Sequence, residues 1–347
     1  MKILINIPCI KLLGGVASHY GGLKNYWTEN VIYNVIGKRS KYSYGILYLP
    51  WDIVKFIFKL LLFKPDVVLL NPSMGNSALK RDFIFLNISR FLGYKVVVFI
   101  HGFNLDYVNK VDKKWLCRNF NKASMIFVLA STFKDMLQNW GVTTDICLST
   151  TKVDDKLVEN FDINNRIAFK RNILCVSRIE KEKGIYESLD AFNLLKRKYV
   201  DLTFTLVGDG CELSSVKQYI NEKNIKDVVL TGRLDGSDLI NEFEKASFFI
   251  FTSYGEGMPT CVLEAMAFGL PVFTRKVGGL VDFFEQDKMG YITDSLDPKD
   301  FADAIEKYLK NPDLYSEVAF YNYNYARENF MASNVVNKIE QTLKQIL

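Results

Sequence analysis

The sequence predicts an α/β protein in which two doubly wound parallel sheets form two domains. Short runs rich in Val, Ile and Phe end in Gly, Pro, Asn or Ser, as buried parallel strands do. Helical segments separate these runs, and this alternation is typical of βαβ units. The chain has 347 residues, which at about 150 residues per domain favours two domains. With 49% hydrophobic and 24% charged residues, it has enough apolar material for two cores, which excludes intrinsic disorder.

The apolar runs define the predicted strands and the predicted domains. The strands are 2–7, 66–70, 95–100 and 124–129 in the first half, and 172–177, 203–207, 228–230, 248–251 and 271–273 in the second. A polar, charged stretch over residues 150–170 interrupts the pattern. We therefore predict one domain over residues 1–165 and another over 166–327. Residues 315–347 read as helical, with no strand after them.

Several classes of protein and site are disfavoured. No apolar stretch approaches the roughly 20 residues of a membrane span, and the N-terminus reads as a strand without a signal-cleavage pattern. The six cysteines form no Cys-x-x-Cys pair and there are two histidines, so a metal centre or a disulfide framework is not expected. We expect a cytoplasmic protein that needs no cofactor.

The charge is divided unevenly between the two predicted domains. Residues 1–165 hold 21 Lys and Arg against 12 Asp and Glu, a formal +9, whereas residues 166–347 hold 23 against 27, a formal −4. A basic half suits an anionic partner: a nucleic acid, an acidic membrane surface or a phosphorylated acceptor. No motif that interleaves aromatic and basic residues supports a nucleic acid.

An apolar helix is predicted over residues 51–64, with Asp52, Lys55 and Lys59 as a thin polar stripe. Two interpretations fit this pattern. The helix packs against a sheet, or it is a basic amphipathic surface that touches acidic lipid on the inner face of the cell membrane.

Residues 248–273 carry the most informative pattern. A strand leads into a polar loop, and a short helix begins near Thr260. A helix N-terminus suits a phosphate group, and Gly257 permits close backbone approach. Glu256 and Glu264 would tolerate a nearby phosphate only by accepting hydrogen bonds from hydroxyls, which sugars and riboses supply. The alternative is that both are solvated surface glutamates.

A second candidate segment covers residues 172–184. A strand ends near Ser177, and Arg178 and Lys183 follow at its carboxyl end, where open α/β sheets bind ligands. Two cations there could hold a diphosphate. The alternative is a solvated loop in which Glu180 and Glu182 neutralise them.

Weaker signals lie at other strand ends. Gly208 and Arg233 stand in glycine turns at strand ends, which could form walls for a nucleobase or could simply be turns. Gly15, in a Gly-Gly pair after the first strand, could admit a phosphate, although no Gly-x-Gly-x-x-Gly is present. His101 follows a strand, where a lone histidine is more often structural.

Together these segments resemble the retaining, nucleotide-sugar-dependent glycosyltransferases of family 4, which have the GT-B fold. The resemblance is specific over most of residues 172–330 and thin before them, where Gly14-Gly15 and His101-Gly102 match. It rests on Ser177-Arg178-x4-Lys183-Gly184, Gly208-Asp209-Gly210, Glu256-x7-Glu264, the segment Glu264-Ala265-Met266-Ala267-x-Gly269-x-Pro271-Val272, and Val277-Gly278-Gly279.

The resemblance implies two facing Rossmann-like domains with a cleft between them, an acceptor-binding first domain and a donor-binding second domain. A last helix at about residues 328–347 would cross back onto the first domain. The reaction would be transfer of a hexosyl group from a nucleotide diphosphate donor, a UDP-sugar first, to a glycan or lipid-linked saccharide in surface polysaccharide synthesis.

The resemblance also implies residue roles. Arg178 and Lys183 would hold the diphosphate, Glu264 would bind ribose, and Glu256 would contact the sugar. The remaining implied donor contacts are the amides of Gly257 and Met258 with the sugar, those of Thr260 and Cys261 with phosphate, Gly15 with the diphosphate, and His101 near the sugar.

One departure from the family and one absent motif bear on mechanism. Asp282 stands where the family often has Glu, which puts any role there in doubt. No Asp-x-Asp occurs in the chain, so the leaving group would meet protein cations and a helix dipole rather than a metal ion. The competing interpretations are a sugar-nucleotide epimerase of the same fold and a non-catalytic binding subunit, although the latter would be expected to lose Arg178, Lys183 or Glu264.

Overall fold

The computed structural model describes residues 1–12, 14–40, 42–103, 105–165 and 171–347. The chain forms two compact units, residues 1–152 with 332–347, and residues 153–331. The predicted boundary adjoins residues 166–170, which lie outside the described residues. The division falls earlier, between Lys152 and Val153, because the amide of Val153 donates to the carbonyl of Phe330 at 2.7 Å and Val158 is buried in the core of the second unit.

The described residues of the first unit contain a six-stranded parallel sheet with helices between the strands. The strands are β1 (Lys2–Ile7), β2 (Asn30–Val35), β3 (Val67–Leu70), β4 (Lys95–Ile100), β5 (Met125–Val128) and β6 (Ile146–Leu148), in the spatial order β2-β1-β3-β4-β5-β6. The helices are α1 (Gly15–Leu23), α2 (Leu49–Phe63), α3 (Asn76–Phe91), α4 (Leu105–Lys110), α5 (Lys113–Phe120) and α6 (Ser131–Asn139).

The second unit repeats this architecture in its described residues. Its strands are β7 (Asn172–Val176), β8 (Thr203–Val207), β9 (Val228–Gly232), β10 (Phe248–Phe251), β11 (Val272–Arg275) and β12 (Gly290–Thr293), in the order β12-β11-β10-β7-β8-β9, all parallel. The helices are α7 (Ile185–Lys196), α8 (Leu213–Glu222), α9 (Gly236–Lys245), α10 (Thr260–Ala267), α11 (Pro298–Leu309) and α12 (Pro312–Asn329).

The predicted α/β class is confirmed, and each predicted strand is present. The structure adds β2, β6 and β12, and all three lie at sheet edges. A central strand of a parallel sheet is covered on both faces and therefore reads as a continuous apolar run, such as Val67–Leu70, which is buried throughout. An edge strand needs no such run; β2 contains Asn30 and Asn34 and is mostly half-buried.

Helix α2 lies where the sequence predicted an apolar helix. Its residues Phe56 and Leu60 are buried in the core of the first unit. Asp52 of the predicted polar stripe is also buried, and it accepts hydrogen bonds from the amide of Gly37 at 2.8 Å and from Arg39. The interpretation of a helix packed on a sheet therefore holds for this face. Within the described residues, no helix is both long and apolar enough to cross a bilayer.

The last helix, α13 (Ala332–Gln345), belongs to the first unit. In the sequence, the whole second unit lies between this helix and the other residues of the first unit. Glu340, which is buried, accepts hydrogen bonds from the amides of Thr28 at 2.8 Å and Glu29 at 3.0 Å and from the Thr28 hydroxyl. Lys344 forms an ion pair with Glu29 at 2.6 Å. A single carboxylate thus satisfies the backbone of the segment that leads into β2.

We predict that Glu340→Ala lowers the free energy of unfolding by about 1 to 3 kcal/mol, because it leaves two partly buried N–H groups without their acceptor. Urea unfolding of the full chain measures the change. Gln341→Ala, at the exposed neighbouring position, is the control and should stay within about 0.5 kcal/mol of wild type. Equal effects of the two substitutions would show that the carboxylate does not hold the helix.

Candidate functional site

The predicted site residues of the second unit follow four strands of one parallel sheet, so their loops emerge at the same sheet edge. From β7 the chain proceeds to β8 and β9 on one side, and β10, β11 and β12 lie on the other. The point where the strand order reverses lies between β7 and β10, and open α/β sheets bind ligands at such points. The loop with Arg178 and Lys183 follows β7, and the loop with Glu256 follows β10.

Lys183 and Glu256 join these two loops. The Nζ of Lys183 donates to Oε1 of Glu256 at 2.5 Å, and the Ser253 hydroxyl donates to the same oxygen at 2.9 Å. The two charged side chains are only 12% and 17% exposed. The alternative interpretation of Glu256 as a solvated loop residue therefore does not hold.

Gly184 allows the two loops to approach this closely. It has φ +66, and a Cβ there would lie 2.2 Å from the carbonyl oxygen of Thr252. The hydroxyl of Thr252 donates to the carbonyl of Gly184 at 2.5 Å and shares a 2.8 Å hydrogen bond with the hydroxyl of Ser188. Any side chain at residue 184 would force the loop after β7 away from the end of β10, and Lys183 would move with it.

Arg178 has a different environment from Lys183. Its side chain is 68% exposed, and Nη1 donates to Glu180 Oε1 at 2.7 Å. Neutralisation by Glu180, one of the alternatives raised by the sequence, is therefore present for Arg178. Lys183 pairs with Glu256 instead of Glu182.

Gly208 and Arg233 follow the next two strands along the same edge. A Cβ on Gly208 would lie 1.8 Å from the carbonyl oxygen of Ser177, so no other residue fits there without moving the chain. The amide of Gly208 donates to the carbonyl of Gly232 at 2.8 Å, which connects the ends of β8 and β9. Arg233 is exposed directly after that contact.

Helix α10 begins at Thr260, as the sequence predicted, and Cys261 lies in its first turn. Pro259 precedes the helix and provides no side-chain cap. The carbonyl of Gly257 accepts a hydrogen bond from the amide of Gly279 at 2.8 Å, so the turn over residues 277–279 supports the loop that leads into the helix. Met258 packs against the buried core of this unit.

The pKa of the Cys261 thiol depends on the charged groups around the start of α10. Burial raises its pKa well above the ordinary value, and the carboxylates of Glu264 and Glu256 raise it further, whereas Lys183 acts in the opposite direction. Burial and the two carboxylates therefore favour the neutral thiol form of Cys261. One cation and two carboxylates lie within electrostatic reach of the first turn of this helix.

The first unit has its own polar cluster at the carboxyl edge of its sheet. Asn71, after β3, donates from Nδ2 to the carbonyl of Asn6 at 2.9 Å, so its Oδ1 faces His101 Nε2 at 3.0 Å and the Tyr20 hydroxyl at 2.7 Å. Since Oδ1 only accepts, His101 donates from Nε2. His101 is thus held in one tautomer.

His19, on α1, lies against His101 with ring centroids 5.0 Å apart. It is buried, and neither ring nitrogen has a hydrogen-bond partner among the described residues. Burial, with His101 and Lys152 nearby, lowers the pKa of His19 well below its usual value, and burial lowers the pKa of His101 to about 3. Both rings are neutral at pH 7.

Gly15 opens α1. A Cβ added at Gly14 or Gly15 would meet no atom of the described residues within 4 Å. The packing of the fold therefore does not require glycine at either position.

Sequence reasoning missed Ser253, Asn71 and His19. Asn71 and Ser253 are buried polar residues that come just after buried strands, and that position is a usable signal. His19 lies within α1, where nothing in the sequence marks it. Among the described residues, no group of three or more His, Cys, Asp and Glu side chains could hold a metal ion.

We predict that stability falls as the pH drops below about 6.5, because the unfolded chain takes up protons there that the neutral, buried histidines of the folded chain do not. Each histidine contributes at most about 1.4 kcal/mol per pH unit. Urea unfolding at pH 7.5, 6.5 and 5.5 measures this loss. His101→Gln should reduce the loss of unfolding free energy between pH 6.5 and 5.5. An unchanged loss in this variant would contradict the interpretation that His101 stays neutral in the folded chain.

Comparison with known families gives one match within the second unit. Residues 159–326 match the model of the family "Glycosyl transferases group 1". Among curated proteins, the N-acetyl-alpha-D-glucosaminyl L-malate synthase of Bacillus anthracis is 27% identical over 56% of this chain and 54% of its own length. The capsular polysaccharide biosynthesis glycosyltransferase CapM of Staphylococcus aureus is 27% identical over 54% of this chain and 48% of its own length. The chain spans about half the length of the curated relatives it matches.

Solved structures resemble the whole chain. Anabaena Alr3699/HepE in complex with UDP-glucose aligns over 99% of this chain and 100% of its own, with a TM-score of 0.75 and 17% identity. Sucrose-phosphate synthase from Thermosynechococcus elongatus aligns over 99% and 98%, with a TM-score of 0.79 and 16% identity. These likenesses confirm the two-domain α/β fold of the GT-B type. The family match covers residues 159–326, which lie within the second unit.

Proposed function

We propose that this protein is a retaining glycosyltransferase that moves a hexosyl group from a UDP-sugar to a glycan or lipid-linked saccharide in surface polysaccharide biosynthesis. The observation that carries the proposal is the half-buried pair of Lys183 and Glu256 beside the first turn of α10. The match to the family of group 1 glycosyl transferases supports the proposed reaction. The UDP complex of HepE, which has the same fold, supports the proposed donor.

Lys183 would bind the diphosphate of the donor. Its ammonium has three donors, of which one is directed at Glu256. The start of α10, with Thr260 and Cys261, adds the positive end of a helix dipole. Arg178 is exposed and would leave Glu180 to contact the same diphosphate. Positive charge arranged in advance stabilises the leaving group as its bond to the sugar breaks.

The two carboxylates would recognise hydroxyls. Ser253 and Lys183 orient Glu256, which would accept hydrogen bonds from the transferred sugar together with the amides of Gly257 and Met258. Glu264, one helical turn into α10, would bind the ribose.

The remaining proposed contacts are with the nucleobase, the diphosphate and the sugar. Gly208 and Arg233 would border the nucleobase. Gly15, which packing leaves open, would approach the diphosphate. His101, whose Nε2 donates to Asn71, would present its other ring nitrogen to the sugar.

The proposed chemistry retains the anomeric configuration. The bond between the anomeric carbon and the diphosphate oxygen breaks first and leaves an oxocarbenium-like centre. The acceptor hydroxyl then attacks from the side of the leaving group, and a diphosphate oxygen takes its proton. Protein cations and a helix dipole would do the work that a metal ion does where Asp-x-Asp is present.

The proposed setting is the cytoplasmic side of the cell membrane. The first unit carries 22 Lys and Arg against 9 Asp and Glu, a formal +13, whereas the second carries 22 against 30, a formal −8. A basic first unit suits an anionic, lipid-diphosphate-linked acceptor and peripheral contact with acidic lipid.

We predict that Lys183→Ala lowers turnover by about 10²- to 10³-fold, the usual effect of losing one preorganised donor at a developing negative charge. Arg178→Ala should lower turnover in the same direction. Lys181→Ala removes an exposed cation two residues away and is the matched control. Turnover is measured as UDP release with acceptor, after circular dichroism has shown an intact fold. Near-normal turnover of folded Lys183→Ala would refute the assignment, and donor conversion without acceptor would favour an epimerase.

A second prediction concerns the donor and the metal. In a thermal-shift panel of UDP, GDP and ADP, we expect UDP to stabilise the protein, by about 2.7 kcal/mol at one hundred times its Kd. The shift should be the same in Mg²⁺ and in EDTA. Selective stabilisation by another nucleotide would correct the donor, and loss of the shift in EDTA would contradict metal independence.

A further inference from the structure

Helix α2 is apolar on two faces, and one of them is exposed. Its buried face packs on the sheet through Phe56 and Leu60. The other face consists of five exposed side chains: Trp51, Val54, Phe58, Leu61 and Leu62. Their spacing of three, four, three and one residues places them along one side of the helix. Apolar residues all round a helix are expected when both sides are covered, and here one is not.

The turn before α2 extends the exposed surface. Tyr44, Ile46 and Leu47 lie in or next to the turn Gly45–Tyr48 and are each at least 70% exposed. We call these three residues and the five of α2 the α2 face. Of the 21 exposed large hydrophobic side chains among the described residues, nine fall within residues 42–62. Exposed hydrophobic side chains are normally scattered singly over a protein surface. A cluster of this kind is typical of an interaction site.

Positive charge surrounds the α2 face. Residues 38–64 contain six Lys and Arg and one acidic residue. That acidic residue is Asp52, which is buried and paired with Arg39, so it does not offset the cations at the surface. The Nζ of Lys59 donates to the carbonyl of Tyr33 at 2.6 Å, so this lysine makes a contact within the first unit. Lys38 and Lys64 are exposed at the two ends of the segment, and Lys55 lies half-buried beside Trp51 and Phe58.

These properties select an anionic bilayer as the partner. A helix with Trp, Phe and Leu on one side and Lys at its margins inserts into the boundary between headgroups and acyl chains. Anionic lipid attracts each nearby Lys or Arg. A second copy of this chain would bring another basic first unit, at a formal +13, against the same cations.

We propose that the α2 face docks the protein on an anionic membrane surface, with Trp51, Phe58 and Leu62 at the headgroup level. Only the link between this docking and a lipid-linked acceptor rests on the proposed function. Binding to lipid itself requires no glycosyl transfer, so each can be tested without the other.

The test is co-sedimentation of the full chain with vesicles of phosphatidylcholine and phosphatidylglycerol, 70:30, compared with phosphatidylcholine alone. We expect binding to the anionic vesicles at low salt, at least a tenfold loss of affinity for Leu62→Asp and Phe58→Asp, and weakening by salt. Val200→Asp is the matched control, because Val200 is 81% exposed and Leu62 is 82% exposed, and the change of charge is the same. It should bind as wild type does.

Tryptophan emission gives a second readout. Trp51 is the exposed one of the four tryptophans, so anionic vesicles should shift the emission to shorter wavelength, and Trp51→Phe should remove the shift. Absence of binding to anionic vesicles at low salt, or equal loss in Leu62→Asp and Val200→Asp, would overturn the proposal. So would a wild-type dimer that Leu62→Asp dissociates while lipid has no effect. An unchanged UDP thermal shift in Leu62→Asp would show that such a failure concerns the membrane surface and not the donor site.

Discussion

The position of Lys183 depends on how closely the loop after β7 approaches the end of β10. At Gly184 the two backbones are near enough that no side chain fits between them, and the Thr252 hydroxyl closes the contact. This approach occurs between β7 and β10, where the strand order reverses and the chain proceeds to opposite sides of the sheet. The carboxylate of Glu256 therefore meets a lysine that is already out of bulk water. An ammonium and a carboxylate held in that way cost free energy to desolvate, and a ligand that brings both anionic oxygens and hydroxyls can satisfy both of them.

The two sheet edges use different chemistry. In the second unit the cluster is charged, and its members are Lys183 and the carboxylates of Glu256 and Glu264, near the start of α10. In the first unit the cluster is neutral, because burial keeps both histidines unprotonated and Asn71 links one of them to the backbone. A neutral histidine with a fixed tautomer can orient a hydroxyl, whereas in the proposed reaction the charge of Lys183 would stabilise the leaving group.

Sequence reasoning predicted the central strands and the sheet edge, because both depend on long apolar runs and on the residues that end them. It did not predict β2, β6 and β12, since an edge strand buries less and carries polar residues such as Asn30. It placed Arg178 and Lys183 after one strand and Glu256 after another, and it raised Glu180 as a partner of the two cations, which the structure shows for Arg178. The pairing of Lys183 with Glu256 came from the structure. Sequence reasoning did not single out Asn71 and Ser253, because a polar residue after a strand is common. Their hydrogen bonds to His101 and Glu256, which the sequence does not show, distinguish them.

The first unit is discontinuous in sequence, and this has a consequence for its biogenesis. Residues 332–347 complete it, and Glu340 supplies the acceptor for the amides before β2. A ribosome delivers the second unit whole before it delivers that helix. The domain that begins first therefore finishes last, and a basic, partly apolar intermediate is present throughout the synthesis of its acidic neighbour.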